Sequence, residues 1–329
     1  MMFWMLVALG FLGLLILADL LVHLVYSFAA LHRFETLPSF RVLPPPANAP
    51  RPEPVEFPTT DGILLRGGIF PPEEGHAQGV VVFCPETGGG FETAMNYTEA
   101  LVEAGFAVLS FSFRNQAPSD TMAGYHSNYW LTRYEVEDVH AALDFVESQS
   151  QFAGLPIGLV GVSRGAGAAL AAGAIRPEVT HIWTQGGFST RGLAVYHALK
   201  FLQTMVGPLA RLIPEWHVRL TIWFMLRLNE YRNHCQMVML ESFLPHWQGR
   251  EVMFVTGSRD TYVPTQLSTG LCHLTQHDTA TSQWIVPQAK HNLERATAPV
   301  EFDKRMEHFF EGMLVKDAPV RTIRSTVAH

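Results

Sequence analysis

The feature that most constrains the fold is an alternation of short β-rich runs with helix-like stretches in the middle of the chain. One such stretch, residues 135–147, places Val136, Val139, Leu143 and Val146 at helical spacing. Strands that alternate with helices form a mostly parallel sheet with helices on both faces. The β-rich runs of this kind are residues 80–84, 107–113, 157–162 and 181–184. The sequence therefore predicts an α/β fold.

The predicted sheet has further strands at both ends and an interruption in the middle. A strand pair at residues 55–57 and 63–70 flanks a turn, and strands at 252–256 and 283–286 precede a last helix at 300–314. We therefore expect one α/β core made of residues 55–187 and 249–316, split by an insertion at residues 188–248. The tail, residues 317–329, has no clear pattern and is assigned no role.

The N-terminal segment is long and apolar enough to cross a bilayer as a helix. Residues 3–18 are all apolar or glycine, and the apolar character resumes to residue 31. We predict a transmembrane anchor at residues 1–31, followed by a proline-rich linker at 32–54 that favours an extended spacer. A cleaved signal peptide is the alternative, but the segment has no basic start and its apolar run is too long for one.

Two polar residues and two arginines indicate the depth and the orientation of this helix in a membrane. Asp19 and His23 lie four residues apart, on one helix face, where they can pair with each other or with a partner helix. We take both to be hydrated near the membrane interface. Arg33 and Arg41 follow the span, so the positive-inside rule places the large domain in the cytoplasm.

The strongest local signal for chemistry is a G-x-S-x-G motif at residues 161–165, directly after a predicted strand and before a small-residue helix. In a sharp strand-to-helix turn only glycine fits beside a serine held in a strained conformation. Ser163 is therefore the candidate nucleophile. A serine hydroxyl needs a base within hydrogen-bond reach, and that base needs an acid that orients it.

Both partners are found in loops that follow later predicted strands. Asp260 follows the strand at 252–256, and His291 follows the strand at 283–286, where the carboxyl edge of a parallel sheet gathers functional side chains. A turn aspartate and a solvent histidine are the alternatives. Weaker candidates, placed on helices or in a less suitable order, are His273, His277, His308 and Asp278.

An oxyanion intermediate also needs hydrogen-bond donors, commonly the backbone N–H after the nucleophile and one from an earlier loop. These positions correspond to Arg164 and to Glu86 or Thr87 in the glycine-rich loop at residues 84–90. The loop lacks the G-x-x-x-x-G-K-[ST] pattern, so it is not a phosphate-binding P-loop.

With these residues in the order Ser163, Asp260 and His291, the chain resembles the α/β-hydrolase superfamily over residues 55–314. It looks most like the serine hydrolases that include monoacylglycerol-lipase-like and serine-aminopeptidase-like members, in which the insertion would be a helical cap. The resemblance implies a Ser-His-Asp triad, an acyl-enzyme, water as second substrate and no cofactor. One departure is that Cys84-Pro85-Glu86 replaces the usual His-Gly after the third strand.

The expected function is a membrane-anchored serine hydrolase that cleaves the carboxylic ester or thioester of an apolar acyl or lipid substrate. The insertion supports it, because it is rich in large apolar residues and carries six Arg or Lys against Glu215 and Glu230 between positions 191 and 235. A subdomain whose apolar side is simply packed is the alternative for this segment. A non-catalytic scaffold, and a peptidase or acyltransferase with the same triad, remain open.

Charge and cysteine content exclude other classes. A net charge of -7 disfavours a nucleic-acid partner, because no basic stripe replaces phosphate counterions. Cys84, Cys235 and Cys272 are far apart and no H-E-x-x-H occurs, so we expect neither a disulfide framework nor a metal site. No protein partner is predicted.

Overall fold

The structure is a computed structural model that describes residues 1–36, 42–72, 75–126, 129–244, 249–275 and 280–314. The chain divides into two compact units. The larger unit comprises Ser39–Ala123, Trp130–Ser189 and Val238–His329, and the smaller comprises Met1–Pro38, Gly124–Tyr129 and Thr190–Met237. The predicted tail, Arg41 and the linker residues next to it lie outside the described residues.

The larger unit is built on one eight-stranded sheet. Its strands lie in the order β1-β2-β4-β3-β5-β6-β7-β8. Strand β2 pairs antiparallel with both β1 and β4, and all the other neighbouring strands pair parallel. The predicted α/β-hydrolase fold class is confirmed. The strands are β1 (Glu53–Pro58), β2 (Leu64–Phe70), β3 (Val80–Cys84), β4 (Ala107–Phe111), β5 (Ile157–Val162), β6 (Val179–Gln185), β7 (Glu251–Gly257) and β8 (Ala280–Val286).

The sheet is covered by apolar side chains on both faces. In β3, Val80 and Val82 belong to one buried cluster, while Val81 and Phe83 belong to a second cluster on the opposite face. Helices α3 and α4 contribute to the first cluster, and α2 and α10 to the second. The helices of this unit are α2 (Met95–Glu103), α3 (Arg133–Ser148), α4 (Arg164–Gly173), α7 (Leu240–Phe243), α8 (Thr265–Thr275), α9 (Glu294–Thr297) and α10 (Pro299–Glu311).

Strand order reverses at β3, which lies between β4 and β5. Ligands of open α/β sheets bind outside the carboxyl ends of the strands at such a switch point. Here those ends are Cys84 on β3 and Val162 on β5. The fold therefore places the glycine-rich loop beside Ser163.

β4 ends at Phe111, two residues earlier than the sequence predicts, because the next residues make other contacts. The buried Phe113 ring packs edge-on against Phe111 and lies 5.1 Å from the guanidinium carbon of Arg164. Arg114 then forms a buried ion pair with Asp138 of α3, with Nε and Nη2 at 2.8 and 2.7 Å from Oδ1. The backbone N–H of Arg114 donates to Asp138 Oδ2 at 2.9 Å.

The smaller unit combines the N-terminal helix with the helices inserted between β6 and β7. They are α1 (Met2–Glu35), α5 (Thr190–Val206) and α6 (Glu215–Arg232), with a 3₁₀ helix at Gly207–Leu212. The second half of α1 runs parallel to α6, since Asp19 at the middle of α1 meets His217 at the start of α6, and Glu35 at the end of α1 meets Asn233 just after α6. The predicted insertion therefore contains helices, and its residues 245–248 lie outside the described ones.

Helix α1 has two halves with different surroundings. The buried residues His23, Ser27, Leu31 and Phe34 form one face of its second half. The apolar window of 18 residues that marks α1 as a candidate membrane span has none of its residues buried. Hydration is the wrong interpretation for His23, whose exposed fraction is 0%, because the ring packs against α6. Asp19 is exposed, as expected.

Several large apolar side chains of the inserted helices are not packed. Their exposed fractions reach 77% for Leu212 and 81% for Tyr231, so simple packing does not describe this surface. The exposed residues are Phe201, Met205, Val206, Leu209, Leu212, Ile213, Trp216, Trp223 and Tyr231. The smaller unit thus carries an apolar surface in addition to the first half of α1.

Candidate active site

Ser163 occupies a strained turn between β5 and α4. Its backbone has φ 54° and ψ −116°, a conformation that costs a non-glycine residue about 1–3 kcal/mol. A Cβ on Gly161 would lie 2.5 Å from the carbonyl oxygen of Gly165, and one on Gly165 would lie 2.1 Å from that of Cys84. The predicted steric role of both glycines is confirmed, because a side chain at either position would strike backbone.

Asp260 follows β7 in a loop that fixes its carboxylate. Its Oδ1 accepts hydrogen bonds from the backbone N–H groups of Tyr262 at 2.9 Å and Val263 at 2.8 Å. The Oδ2 atom lies 2.6 Å from Nδ1 of His291, and the Asp260 side chain has no exposed surface. The two backbone donors thus hold one oxygen and leave the other for the imidazole.

His291 lies between this carboxylate and the serine. Its Nε2 is 3.1 Å from Ser163 Oγ, within hydrogen-bond distance. Because a carboxylate only accepts hydrogen bonds, Nδ1 carries the proton and Nε2 is left as an acceptor for the serine hydroxyl. The structure therefore brings together all three residues that the sequence predicts.

The loops that carry the acid and the base are joined directly to each other. The N–H of Arg259 donates to the carbonyl oxygen of Ala289 at 2.9 Å. A Cβ on Gly257 would lie 2.3 Å from that same carbonyl oxygen. This close approach sets the distance between Asp260 and His291 through backbone, which is more rigid than a side-chain contact.

The two weaker candidates that the structure describes are not brought to this site. His273 lies exposed on α8, and His308 lies exposed on α10, 3.8 Å from Glu311. His277 and Asp278 lie outside the described residues.

Arg164 and the glycine-rich loop lie on either side of Ser163. Arg164 begins α4, so its backbone N–H belongs to the first helical turn, whose N–H groups have no acceptor within the helix. In the loop, the N–H of Gly89 donates to the carbonyl oxygen of Glu86 at 3.0 Å and closes a tight turn. The Gly165 approach to Cys84 brings this loop against the nucleophile turn.

Glu86 of the glycine-rich loop turns its carboxyl group into the protein. Its exposed fraction is 2%, and it accepts hydrogen bonds from the Thr93 hydroxyl at 3.2 Å and the Tyr97 hydroxyl at 3.1 Å. Burial raises the pKa of Glu86 above its usual range. The side chain therefore fixes the loop from the inside.

A second buried carboxyl group near the site has no signal in the sequence. Glu294 begins α9 and is fully buried, and Gln185 Nε2 at the end of β6 donates to its Oε2 at 2.6 Å. Burial raises the pKa of Glu294 to about 7, while the nearby His291 opposes the shift. This environment comes from tertiary packing, so nothing in the local sequence separates Glu294 from a surface glutamate.

The chain has the α/β-hydrolase fold, and solved structures with this fold align over most of its length. Esterase Pf2001 from Pyrococcus furiosus aligns with TM-score 0.59 at 16% identity, over 84% of this chain and all of that one. The α/β hydrolase GrgF from a Penicillium species gives 0.58 at 16% identity, over 79% and 98%. Dienelactone hydrolase from Anabaena variabilis gives 0.53 at 20% identity, over 79% and 98%. No protein-family model and no curated protein matches the chain.

Proposed function

We propose that the protein is a serine hydrolase that cleaves a carboxylic ester or thioester of an apolar acyl substrate. The observation that carries the proposal is the unbroken chain of contacts from Ser163 Oγ to His291 Nε2, and from His291 Nδ1 to Asp260 Oδ2. The named esterases and hydrolases that share the fold support ester hydrolysis.

In the proposed reaction His291 Nε2 takes the proton of the Ser163 hydroxyl as Oγ forms a bond to the substrate carbonyl carbon. The resulting tetrahedral intermediate loses the alcohol or thiol, which receives that proton from His291. Water then gives a proton to His291 Nε2 as its oxygen forms a bond to the acyl carbon. The bond from that carbon to Ser163 Oγ breaks, the carboxylic acid leaves, and His291 returns the proton to Oγ. Asp260 holds the imidazole in the required tautomer and stabilises its positive form.

The developing oxyanion needs backbone donors, and Arg164 with Glu86 or Thr87 supplies them in this proposal. Both loop residues are candidates for the second donor. Removal of one such donor typically costs about 10²–10³-fold in kcat. Backbone donors cannot be removed by a side-chain change, so this assignment is tested through substrate oxygen-to-sulfur replacement.

An apolar substrate at a membrane is supported by the smaller unit. It contains both the candidate membrane span of α1 and exposed apolar residues such as Leu209, Leu212 and Trp216. We propose that α1 remains attached as an anchor, since a cut after Ala29 would remove His23 and Ser27 from their contacts with Thr221 of α6. The cytoplasmic side for the larger unit stays a proposal that rests on Arg33 and Arg41.

The decisive experiment is labelling of the full chain in detergent with a fluorophosphonate probe, which forms a covalent bond with an activated serine. We expect labelling of the native chain and none of Ser163→Ala, with turnover of an ester reduced about 10⁶-fold. His291→Ala should lose labelling too. Ser148→Ala and His308→Ala change exposed residues on α3 and α10 and are the matched controls.

A folded native chain that neither labels nor turns over any ester would refute the hydrolase proposal and favour a non-catalytic scaffold. Cleavage of amides, or acyl transfer to an alcohol in preference to water, would instead identify a peptidase or an acyltransferase. A comparison of p-nitrophenyl esters of increasing chain length tests the substrate class, and a preference for the shortest esters would contradict an apolar acyl substrate.

A further inference from the structure

We propose that Asp19, His23 and His217 form a binding site for a divalent transition-metal cation inside the smaller unit. Each offers one ligand atom, and these atoms lie within 4.8 Å of one another. No metal site is expected from the sequence, because His217 follows His23 by 194 residues and only the pairing of α1 with α6 brings them together.

The spacing of the ligand atoms is close to that of a tetrahedral site. His217 Nε2 lies 2.8 Å from Asp19 Oδ1, and His23 Nε2 lies 3.5 Å from Asp19 Oδ2. A tetrahedral Zn²⁺ with bonds of about 2.0–2.1 Å separates its ligand atoms by about 3.3 Å. Because all three ligand atoms lie within 4.8 Å of one another, side-chain rotations that move them by about 1–1.5 Å or less bring all three to one ion.

The hydrogen bond at His23 Nδ1 leaves Nε2 of the same ring available to bind a metal ion. The Thr221 hydroxyl donates to the carbonyl oxygen of His217 at 3.2 Å, so its oxygen accepts the proton on His23 Nδ1 at 2.8 Å. His23 Nε2 then carries a lone pair. It is buried, has no hydrogen-bond partner within the described part of the chain, and faces the Asp19 carboxylate.

A lone pair that faces a carboxylate is repulsive, so something positive is needed between them. If His23 Nε2 carried a proton, its acceptor would be Asp19 Oδ2. The two heavy atoms are 3.5 Å apart, which is longer than the 2.7–2.9 Å of a charge-assisted hydrogen bond. The proton would also place a cation against the His217 ring, whose centroid is 4.0 Å away. A metal ion satisfies both rings and the carboxylate at once.

The ligand set selects the class of ion. Two imidazoles and one carboxylate suit Zn²⁺ and its neighbours in the first transition row, whereas Ca²⁺ and Mg²⁺ require more oxygen ligands. Thr221 on His23 Nδ1 matches the outer hydrogen bond that orients metal-bound histidines. The ion would join the parallel helices α1 and α6 where the apolar first half of α1 ends.

The test uses the full chain in detergent, stripped with a chelator and titrated with Zn²⁺ by calorimetry and with Co²⁺ by visible absorption. We expect one ion per chain, Co²⁺ bands of a tetrahedral nitrogen and oxygen site, and a Zn²⁺-dependent rise in Tm. His217→Gln and Asp19→Asn should each weaken the Kd by about 100-fold or more, and Thr221→Val by about 10-fold. His32→Gln, an exposed histidine on the same helix, is the matched control and should bind like the native chain.

The native titration decides the proposal even if a variant fails to fold. A native chain that takes up no Zn²⁺ and gives no Co²⁺ bands would overturn it and leave the cluster as a hydrogen-bonded contact between helices. Uptake that persists unchanged in folded His217→Gln and Asp19→Asn would place the ion elsewhere and would also overturn it.

Discussion

Replacement of Asp260 by asparagine tests the orienting role of that carboxylate with almost no change in shape. The backbone N–H groups of Tyr262 and Val263 require an acceptor at Oδ1, so the amide oxygen takes that place. The amide NH₂ then faces His291 Nδ1, where the native contact is 2.6 Å. His291 must accept at Nδ1 and carry its proton on Nε2, so it can no longer take the proton of Ser163.

The opposite orientation of the amide does not rescue the site. It would place the NH₂ against two backbone donors and leave both unsatisfied, at about 1–3 kcal/mol each. We therefore expect kcat to fall on the order of 10⁴-fold, equivalent to about 5 kcal/mol of transition-state stabilisation. The assay is steady-state hydrolysis of the best p-nitrophenyl ester, with Tm measured on the same samples.

Tyr262→Phe is the control, because it keeps the backbone N–H that binds Asp260 and alters only a ring 5.2 Å from that of His291. It should stay within a few-fold of the native kcat. A folded Asp260→Asn that keeps more than a tenth of the native kcat would refute the reasoning and direct attention to Glu294 as the acid.

Three further predictions concern the stability of the larger unit, each measured by urea unfolding. Gly165→Ala should lose at least about 3 kcal/mol, because the new Cβ meets the Cys84 carbonyl at 2.1 Å, and an unchanged midpoint would contradict that approach. Glu294 has a folded pKa of about 7 and a lower unfolded one, so its carboxyl group should contribute a loss of about 3 kcal/mol as the pH rises from 4.5 to 7; Glu294→Gln should show a slope shallower by that amount, and an unchanged slope would contradict the raised pKa. Arg114→Met should cost about 3–5 kcal/mol by leaving Asp138 buried without its partner, and Asp138→Leu in addition should restore most of it, whereas an additive loss would contradict a coupled pair.

Much of the fold and the triad could be predicted because the relevant signals are local. Apolar runs of five or six residues mark buried strands such as β3 and β5, and Ser163 follows β5 directly. Asp260 lies in the loop after β7, which ends at Gly257, and His291 lies in the loop after β8, which ends at Val286. In a parallel sheet, residues that follow strands meet at one edge whatever their separation along the chain. The position of each residue in a loop after a strand is therefore enough to predict that Ser163, Asp260 and His291 lie at the same edge of the sheet.

Features that depend on tertiary packing could not be predicted in this way. The end of β4 is set by the ion pair of Arg114 with Asp138, which joins residues 24 positions apart on different elements. Glu86 and Glu294 look like surface residues in the sequence, and only the packed structure shows that both are buried. His23 looks like a hydrated residue in the sequence, because the helix that buries it lies far along the chain.

The pairing of α1 with α6 also has a consequence for biosynthesis. Helix α1 ends at Glu35 and α6 begins at Glu215, so 180 residues separate the end of one partner from the start of the other. At roughly 5–20 residues per second, the ribosome needs about 10–40 s to produce the second helix. During that interval the face of α1 that carries Leu31 and Phe34 has no α6 to cover it. The contacts of α1 with α6 therefore form only after most of the larger unit has been synthesised.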